Sequence, residues 1–93
     1  MSIKNTRLDR KIEKKLGFKK IDEDQYCVVY ERKDLEYGYT QRVDLLHKKS
    51  GKHILQSYDK DLADTYSIGN TCVGLTYQEL KLFVKKMKQV KFN

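Results

Sequence analysis

The chain lacks proline, contains only two cysteines, and has no long apolar run. Cis peptide bonds are therefore not expected, because they are essentially restricted to proline. No stretch approaches the roughly 20 apolar residues that a membrane-spanning helix needs. The start of the chain, residues 1–4, has no apolar core of the kind found in a secretory signal peptide. We therefore expect a cytoplasmic protein with no membrane partner.

Soft metal ligands are also scarce. Cys27 and Cys72 stand alone in the sequence, and in a cytosolic protein we expect them to be reduced and partly buried. Zinc sites normally show two closely spaced ligand pairs. A two-residue turn in the hairpin between His47 and His53 would place these residues on opposite faces, whereas a bulged turn would bring them opposite each other and allow a weak site. We expect neither a metal nor a cofactor.

The motifs of the common enzyme classes are missing as well. The sequence has no G-x-S-x-G, no P-loop, no H-E-x-x-H and no glycine-rich phosphate fingerprint. Its carboxylate clusters fall in predicted turns and loops, where solvated acids are common. A chain of 93 residues also has little core to spare for a substrate pocket. We therefore expect a protein that is not an enzyme.

Positive charge is abundant, and it is concentrated at the two ends of the chain. Residues 1–20 hold eight basic and two acidic side chains, which gives a net charge of +6. Residues 81–93 hold five basic side chains and no acidic one, net +5, while residues 21–80 carry a net charge of −4. This distribution indicates a molecule with one positive side.

The first cationic segment is predicted to be a helix over residues 7–16. Thr6 and Asp9 form a helix-start signature, in which the hydroxyl caps an N–H group and the carboxylate favours the positive helix end. Gly17 stands where a left-handed helix terminator is expected. The apolar stripe of the helix consists of Leu8, Ile12 and Leu16. Its basic residues, on the remaining faces, are Arg7, Arg10, Lys11, Lys14 and Lys15.

The second cationic segment is predicted to be a C-terminal helix. It begins at a capping box formed by Thr76 and Glu79. Its predicted apolar face, expected to pack on a sheet, consists of Leu80, Phe83, Val84, Met87 and Val90. A neighbouring face carries Lys81, Lys85 and Lys88.

Strand signals lie between the two helices, in residues 18–21, 25–32, 39–48 and 52–58. Residues 22–24 are predicted to form an acidic turn, and residues 59–74 a long connection. Lys49, Ser50 and Gly51 are predicted to close a hairpin. If Ser50 and Gly51 form a two-residue turn, Val43 faces Tyr58, Leu45 faces Gln56 and His47 faces Ile54. Leu55 would then lie on the opposite face of the sheet, together with Arg42 and Asp44.

The predicted fold class is α+β, with residues 1–93 as a single domain. An antiparallel sheet of three to four strands carries an N-terminal and a C-terminal helix, in the order α-β-(β)-β-β-α. This order resembles that of double-stranded-RNA-binding domains over most of the chain. Those domains begin the final helix with a basic K-K-x-A-K motif, where this chain has Leu75-Thr76-Tyr77-Gln78-Glu79, so the resemblance is confined to topology.

Three segments of the chain resemble small uncharacterised proteins of phages and prophages of Gram-positive bacteria. The segments are Leu16-Gly17-Phe18-Lys19-Lys20-Ile21, Gly51-Lys52-His53-Ile54-Leu55-Gln56-Ser57-Tyr58 and Val73-Gly74-Leu75-Thr76-Tyr77-Gln78-Glu79-Leu80. This resemblance implies a small binder in phage–host interplay that modulates replication, transcription or a host defence.

The basic helices are the candidate site. If both lie on one face of the sheet, they present a joint cationic surface that can contact nucleic-acid phosphates. The predicted contacts are Arg7, Arg10, Lys11, Lys14, Lys15, Lys81, Lys85 and Lys88. Lysine outnumbers arginine by sixteen to four, which favours sequence-tolerant contact, since arginine is preferred for bidentate recognition. The alternative partner is an acidic surface of a host or phage protein. Solvent-facing lysines that only keep the chain soluble would give the same pattern.

Overall fold

A computed structural model of the chain describes residues 5–63 and 71–90. It shows an α+β fold in which one four-stranded antiparallel sheet, in the order β1-β2-β3-β4, follows an N-terminal helix and precedes a C-terminal one. The predicted fold class and element order are confirmed. The elements are α1 (Arg7–Leu16), β1 (Lys19–Glu23), β2 (Cys27–Asp34), β3 (Tyr39–His47), β4 (His53–Asp59), α2 (Lys60–Ala63) and α3 (Tyr77–Gln89).

One hydrophobic core lies between the sheet and the two terminal helices. Alternate residues of the central strands, including Val28 and Tyr30 of β2 and Val43 and Leu45 of β3, are fully buried and meet side chains of both helices. The aromatic centre of this core is Phe83, whose ring contacts Phe18 edge-on with the ring centroids 5.1 Å apart. Because a single core joins α1 and α3 to the same strands, both helices cover one face of the sheet.

Helix α1 has the boundaries and the buried stripe that the sequence predicts. The Thr6 hydroxyl accepts a hydrogen bond from the Asp9 backbone N–H, and the Asp9 carboxylate accepts one from the Thr6 N–H, which completes a capping box. Gly17 ends the helix in the left-handed conformation, with a φ of 82°. Leu8 and Ile12 are buried in the core. The sequence predicts these helix boundaries correctly because both capping residues, Thr6 and Gly17, directly adjoin the helix.

The acidic turn lies later in the chain than predicted. Strand β1 runs through Asp22 to Glu23, and its register with β2 shifts between Lys20 and Asp22. The turn is instead organised by Asp24, whose Oδ1 accepts hydrogen bonds from the backbone N–H groups of Tyr26 and Cys27. Such a side-chain cap stabilises a tight turn. Of the three acidic residues predicted to form the turn, only Asp24 therefore does so.

The hairpin between β3 and β4 has a three-residue loop, so of the two alternatives left open by the sequence the one that places His47 opposite His53 is observed. The Lys48 N–H donates to the Lys52 carbonyl, and Gly51 takes the left-handed conformation with a φ of 90°. A loop of this length shifts every cross-strand pair by one residue relative to a two-residue turn. The observed pairs are Val43 with Ser57, Leu45 with Leu55, and His47 with His53. Leu55 consequently packs against the core rather than on the opposite face.

The opposite face of the sheet carries a hydrogen-bonded polar group centred on Asp44. The Tyr58 hydroxyl and the Gln56 amide both donate to Oδ2 of Asp44, at 2.8 and 3.0 Å. The other oxygen, Asp44 Oδ1, is buried and has no hydrogen-bond partner among the described residues. Burial and the bond to Asp44 raise the pKa of Tyr58 to about 12. Hydrogen bonds to Asp44 therefore order the polar part of this face, which lies beside the half-buried cross-strand pair Leu46 and Ile54.

The predicted connection over residues 59–74 contains some regular structure. It starts with the short helix α2, and residues 64–70 lie outside the described residues. Residues 71–73 run beside the edge of β4, where the Asp59 N–H donates to the Thr71 carbonyl and the Val73 N–H donates to the Ser57 carbonyl. Within residues 5–63 and 71–90, no helix combines the length and apolar character that a membrane span requires.

A lysine-rimmed groove as candidate binding site

The groove that forms the candidate site lies along two antiparallel helices, which are fastened to each other at both ends. At one end, Lys86 near the C-terminus of α3 reaches Asp9 in the first turn of α1. At the other end, Arg32 of β2 bonds both the Leu16 carbonyl of α1 and Glu79 in the first turn of α3. The end of each helix therefore lies beside the start of the other.

The first fastening is a buried ionic group centred on Asp9, which we call the Asp9 cluster. Its other members are Thr6, Lys20, Tyr30 and Lys86. Lys20 Nζ lies 2.8 Å from Asp9 Oδ2. Lys86 Nζ lies 3.1 Å from Asp9 Oδ1, to which the Tyr30 hydroxyl also donates at 2.5 Å. These contacts connect α1, β1, β2 and α3 through one carboxylate.

The Asp9 cluster is stable as an ionised group because its hydrogen bonds compensate for its burial. Burial alone would raise the pKa of Asp9, but hydrogen bonds from Lys20, Tyr30, Thr6 and Lys86 outweigh that effect and hold the pKa well below its usual range. The exposed Glu23 carboxylate lies 3.3 Å from Lys20 Nζ and supplies a second negative charge. Two carboxylates thus balance two ammonium groups, so Lys86 adds no net charge to the surface.

The second fastening is a clamp centred on the Arg32 guanidinium. It donates to the Leu16 carbonyl at 2.9 Å, to Glu79 Oε2 at 2.6 Å and to Gln41 Oε1 at 2.8 Å. Its Cζ lies 4.1 Å from the centroid of the Phe18 ring, within the range of a cation–π contact. Four structural elements and the short link after α1 are therefore tied together at this end.

These two fastenings explain why α3 is rotated relative to the prediction. Glu79 and Lys86 are buried because each has an ionic partner beneath the helix, and Leu82 and Phe83 lie between them in the core. Leu80 and Val84, which were predicted to pack on the sheet, instead have 41% and 37% of their surface exposed. The predicted apolar face of α3 is therefore wrong at these two positions, although Phe83 is buried as expected.

The rotation of α3 creates an open groove of about 730 Å³ beside α1. Its apolar floor is formed chiefly by Tyr77, Leu80, Leu82 and Val84. Gln78 also contributes to the lining. Among the residues that the structure describes, the rim carries no acidic side chain and five lysines: Lys11, Lys15, Lys81, Lys85 and Lys88. The groove combines exposed apolar surface with an unbalanced positive charge.

The structure brings together five of the eight cations that the sequence proposed as contacts. Lys11 and Lys15 of α1 line one side of the groove, and Lys81, Lys85 and Lys88 of α3 line the other.

The remaining three proposed cations, Arg7, Arg10 and Lys14, are exposed on α1 but do not line the groove. Arg10 donates to the Asn5 carbonyl at 3.2 Å, which directs it toward the start of the helix. The predicted cationic surface is thus divided, and only part of it adjoins the apolar floor.

Sequence reasoning missed the floor of the groove. Tyr77, Leu80 and Val84 recur at helical spacing, but the same segment also holds Leu82 and Phe83. The apolar residues of α3 therefore cover a wider part of its circumference than contact with the sheet requires. This excess is the sequence feature that could have indicated an exposed apolar surface. Tyr77, with 79% of its surface exposed, is the most accessible member of the floor.

The groove offers two kinds of surface to a ligand, one charged and one apolar. Its charged groups are ammonium ions, which are donors only and attract carboxylates or phosphates. Its apolar floor gains free energy when a partner covers it, at about 25 cal/mol per Å² of apolar surface. Within the described residues, no three His, Cys, Asp or Glu side chains are grouped so that they could hold a metal ion. Comparison of the chain with protein-family models, curated proteins and solved structures finds no match.

Proposed function

We propose that this protein is a non-catalytic binding protein whose groove holds an acidic, amphipathic helical segment of a partner protein. The observation that carries this proposal is the combination of an apolar floor with a lysine rim in one groove. An amphipathic helix buries apolar anchors at i, i+3 or i+4, and i+7, while its flanks remain polar. If those flanks carry Asp or Glu, they face the lysines of both walls.

The exposure of Leu80 and Val84 favours a protein segment over a nucleic-acid backbone. Phosphates would contact the lysines but would leave these two aliphatic side chains, 41% and 37% exposed, without a matching surface. The lysines in turn argue against a second copy of the same groove as the partner, because two such rims would repel each other. One acidic amphipathic helix would pair its carboxylates with the lysines and cover Leu80 and Val84 with its apolar side chains.

Nucleic acid is the second candidate partner, and the position of Tyr77 is the observation that favours it. An exposed aromatic ring beside several lysines can stack on an unpaired base while the lysines contact phosphates. Such binding would depend mainly on counterion release and would weaken steeply as salt is raised. The resemblance to phage proteins is compatible with both candidates, and in either case we propose a modulator of a host or phage process.

A comparison of three variants separates the candidates. The groove-charge variant carries Lys81→Glu, Lys85→Glu and Lys88→Glu. Its matched control carries three equivalent reversals outside the groove, Lys19→Glu, Lys33→Glu and Lys49→Glu, all at exposed positions. The two variants have the same net charge, so any difference between them reports on the groove and not on overall electrostatics. The groove-apolar variant carries Leu80→Ser and Val84→Ser.

The assay is fluorescence anisotropy with three labelled probes: an acidic amphipathic helical peptide with leucines at i, i+4 and i+7, a DNA duplex and a DNA single strand. For the peptide, we expect the groove-charge and groove-apolar variants to lose affinity by about tenfold or more, since buried anchors are worth over 1 kcal/mol each. The matched control should bind nearly as tightly as the wild type. DNA binding that survives Leu80→Ser and Val84→Ser, without peptide binding, would favour the second candidate. Equal losses in the control and the groove-charge variant would contradict both.

A further inference from the structure

The two histidines of the chain face each other across the β3–β4 hairpin, next to its loop. His47 and His53 are direct cross-strand partners. The His47 N–H donates to the Tyr26 carbonyl of the neighbouring turn, so this N–H points away from β4. The pair is therefore of the type without mutual backbone hydrogen bonds, in which side chains of an antiparallel sheet come closest.

The two rings meet through their Nδ1 atoms, which are joined by a hydrogen bond and whose separation is close to that of two ligands sharing one metal ion. Nδ1 of His47 lies 3.2 Å from Nδ1 of His53, and the ring centroids are 4.9 Å apart. Two imidazole nitrogens bound to one tetrahedral zinc ion at about 2.05 Å each are separated by roughly 3.3 Å. A square-planar arrangement at the same bond length would separate neighbouring nitrogens by about 2.9 Å. The observed distance lies between these values, so an ion that replaced the proton shared by the two Nδ1 atoms would need little change in the nitrogen–nitrogen distance.

We propose that His47 and His53 chelate one divalent transition-metal ion of the borderline class, such as zinc, nickel or copper, through their Nδ1 atoms. Each ring would then carry its proton on Nε2, and solvent or a partner group would complete the coordination sphere. Imidazole is a preferred ligand for these ions, whereas magnesium and calcium prefer oxygen. Because the two ligands belong to adjacent strands, a bound ion would also link β3 to β4 across the three-residue loop.

The three-residue loop is what makes this site possible. In the alternative with a two-residue turn, the pairing would shift by one residue and the histidines would lie on opposite faces of the sheet. Gly51 maintains the observed register through its left-handed conformation. Lysines next to the pair, Lys48 and Lys52, repel a cation, and we therefore expect copper and nickel, which bind nitrogen ligands strongly in the divalent series, to give the clearest signal.

The test is a calorimetric titration of the full chain with nickel, copper and zinc salts, with magnesium as the hard-cation control. It is carried out in a Cys72→Ser background, because the exposed Cys72 thiol could bind the same metals. We expect one ion per chain, reversed by a chelator, and no magnesium binding. His47→Gln and His53→Gln should each weaken binding by at least about tenfold. Lys52→Gln, which keeps both rings, should bind as well as the background protein or better.

A second readout shows where the ion sits. Binding should raise the thermal midpoint of the background protein and of Lys52→Gln, but not that of His47→Gln, because an ion that binds only the folded hairpin stabilises it. In NMR spectra, the ring protons of both histidines should shift or broaden together during the nickel titration. Binding that persists equally in both histidine variants, or the absence of any binding with stoichiometry of one, would overturn the proposal. Both histidine substitutions lie at the end of the sheet outside the core, so the variants are expected to fold.

Discussion

The Asp9→Asn substitution is the most direct test of how the two helices are held on the sheet. It keeps the shape of the side chain but removes the charge that binds Lys20 and Lys86. Both ammonium groups are almost fully buried, with 0% and 3% of their side-chain surface exposed. Removing one partner from a buried ion pair typically costs about 3–5 kcal/mol, because the remaining charge is left uncompensated. Against a total stability of about 5–15 kcal/mol, this is a large fraction.

Urea unfolding followed by circular dichroism measures this effect. With a denaturant dependence of roughly 2 kcal/mol per molar urea, a loss of about 4 kcal/mol lowers the midpoint by about 2 M. The matched control is Glu13→Gln, which removes one negative charge from an exposed position of the same helix and should change stability by less than about 0.5 kcal/mol. An Asp9→Asn variant as stable as Glu13→Gln would refute the reasoning, since the cluster would then contribute no net stability.

The same variant predicts a change in acid stability. The folded-state pKa of Asp9 lies below its unfolded value, so its stabilising contribution is fully present above the unfolded pKa of about 3.9 and is lost as the pH falls below it. Wild-type stability should therefore decline between about pH 5 and pH 2, and the decline should be shallower in Asp9→Asn. Identical pH profiles for the two proteins would contradict the assignment of the low pKa to Asp9.

Three further substitutions or reactions test local features of the fold. Gly17→Ala places a side chain at a φ of 82° and should lower the free energy of unfolding by about 1–2 kcal/mol, while Gly17→Asn should cost less, as measured by urea titration. Thr76→Ala removes the hydroxyl that caps α3 and should cost about 1 kcal/mol in the same assay, with rescue by Thr76→Ser. Burial, followed by nearby Asp44, raises the pKa of the Cys27 thiol to about 11, so a thiol reagent at pH 8 should label the exposed Cys72 first and Cys27 only on unfolding. Rapid labelling of Cys27 in folded Cys72→Ser protein would argue against this.

Local signals predicted the elements of this fold well. The caps at Thr6, Gly17 and Thr76 are formed by residues adjacent to the helices they bound, so their chemistry can be read from a short window. The strand segments likewise carry β-branched and aromatic residues at the correct places. Element order and fold class followed from these signals, because a meander between two helices leaves few alternatives for connecting them.

The errors arose where a side chain depends on a distant partner. Lys86 occupies a buried position because Asp9, 77 residues earlier, neutralises it, and no helical periodicity reveals such a pair. Because Lys86 and Glu79 are buried, α3 is oriented with Leu80 and Val84 exposed, and these two residues form part of the floor of the groove. The cationic rim could be predicted from composition, whereas the apolar floor could not, since it depends on the rotation of one helix by ionic contacts. The hairpin register was left open between two alternatives for a different reason, because one glycine is compatible with both loop lengths.

The two fastenings at the ends of the helix pair have a consequence for the proposed binding of a partner in the groove. The Asp9 cluster fixes α1 against α3 at one end, and the Arg32 clamp fixes them at the other, so the distance between the two walls is set before binding. A preorganised groove loses little conformational entropy when it is filled, and its affinity is correspondingly higher for the same contacts. Residues that never touch the partner, such as Arg32, would then govern affinity through the spacing of the walls, and selection for binding would act on the interior of this protein as well as on its surface.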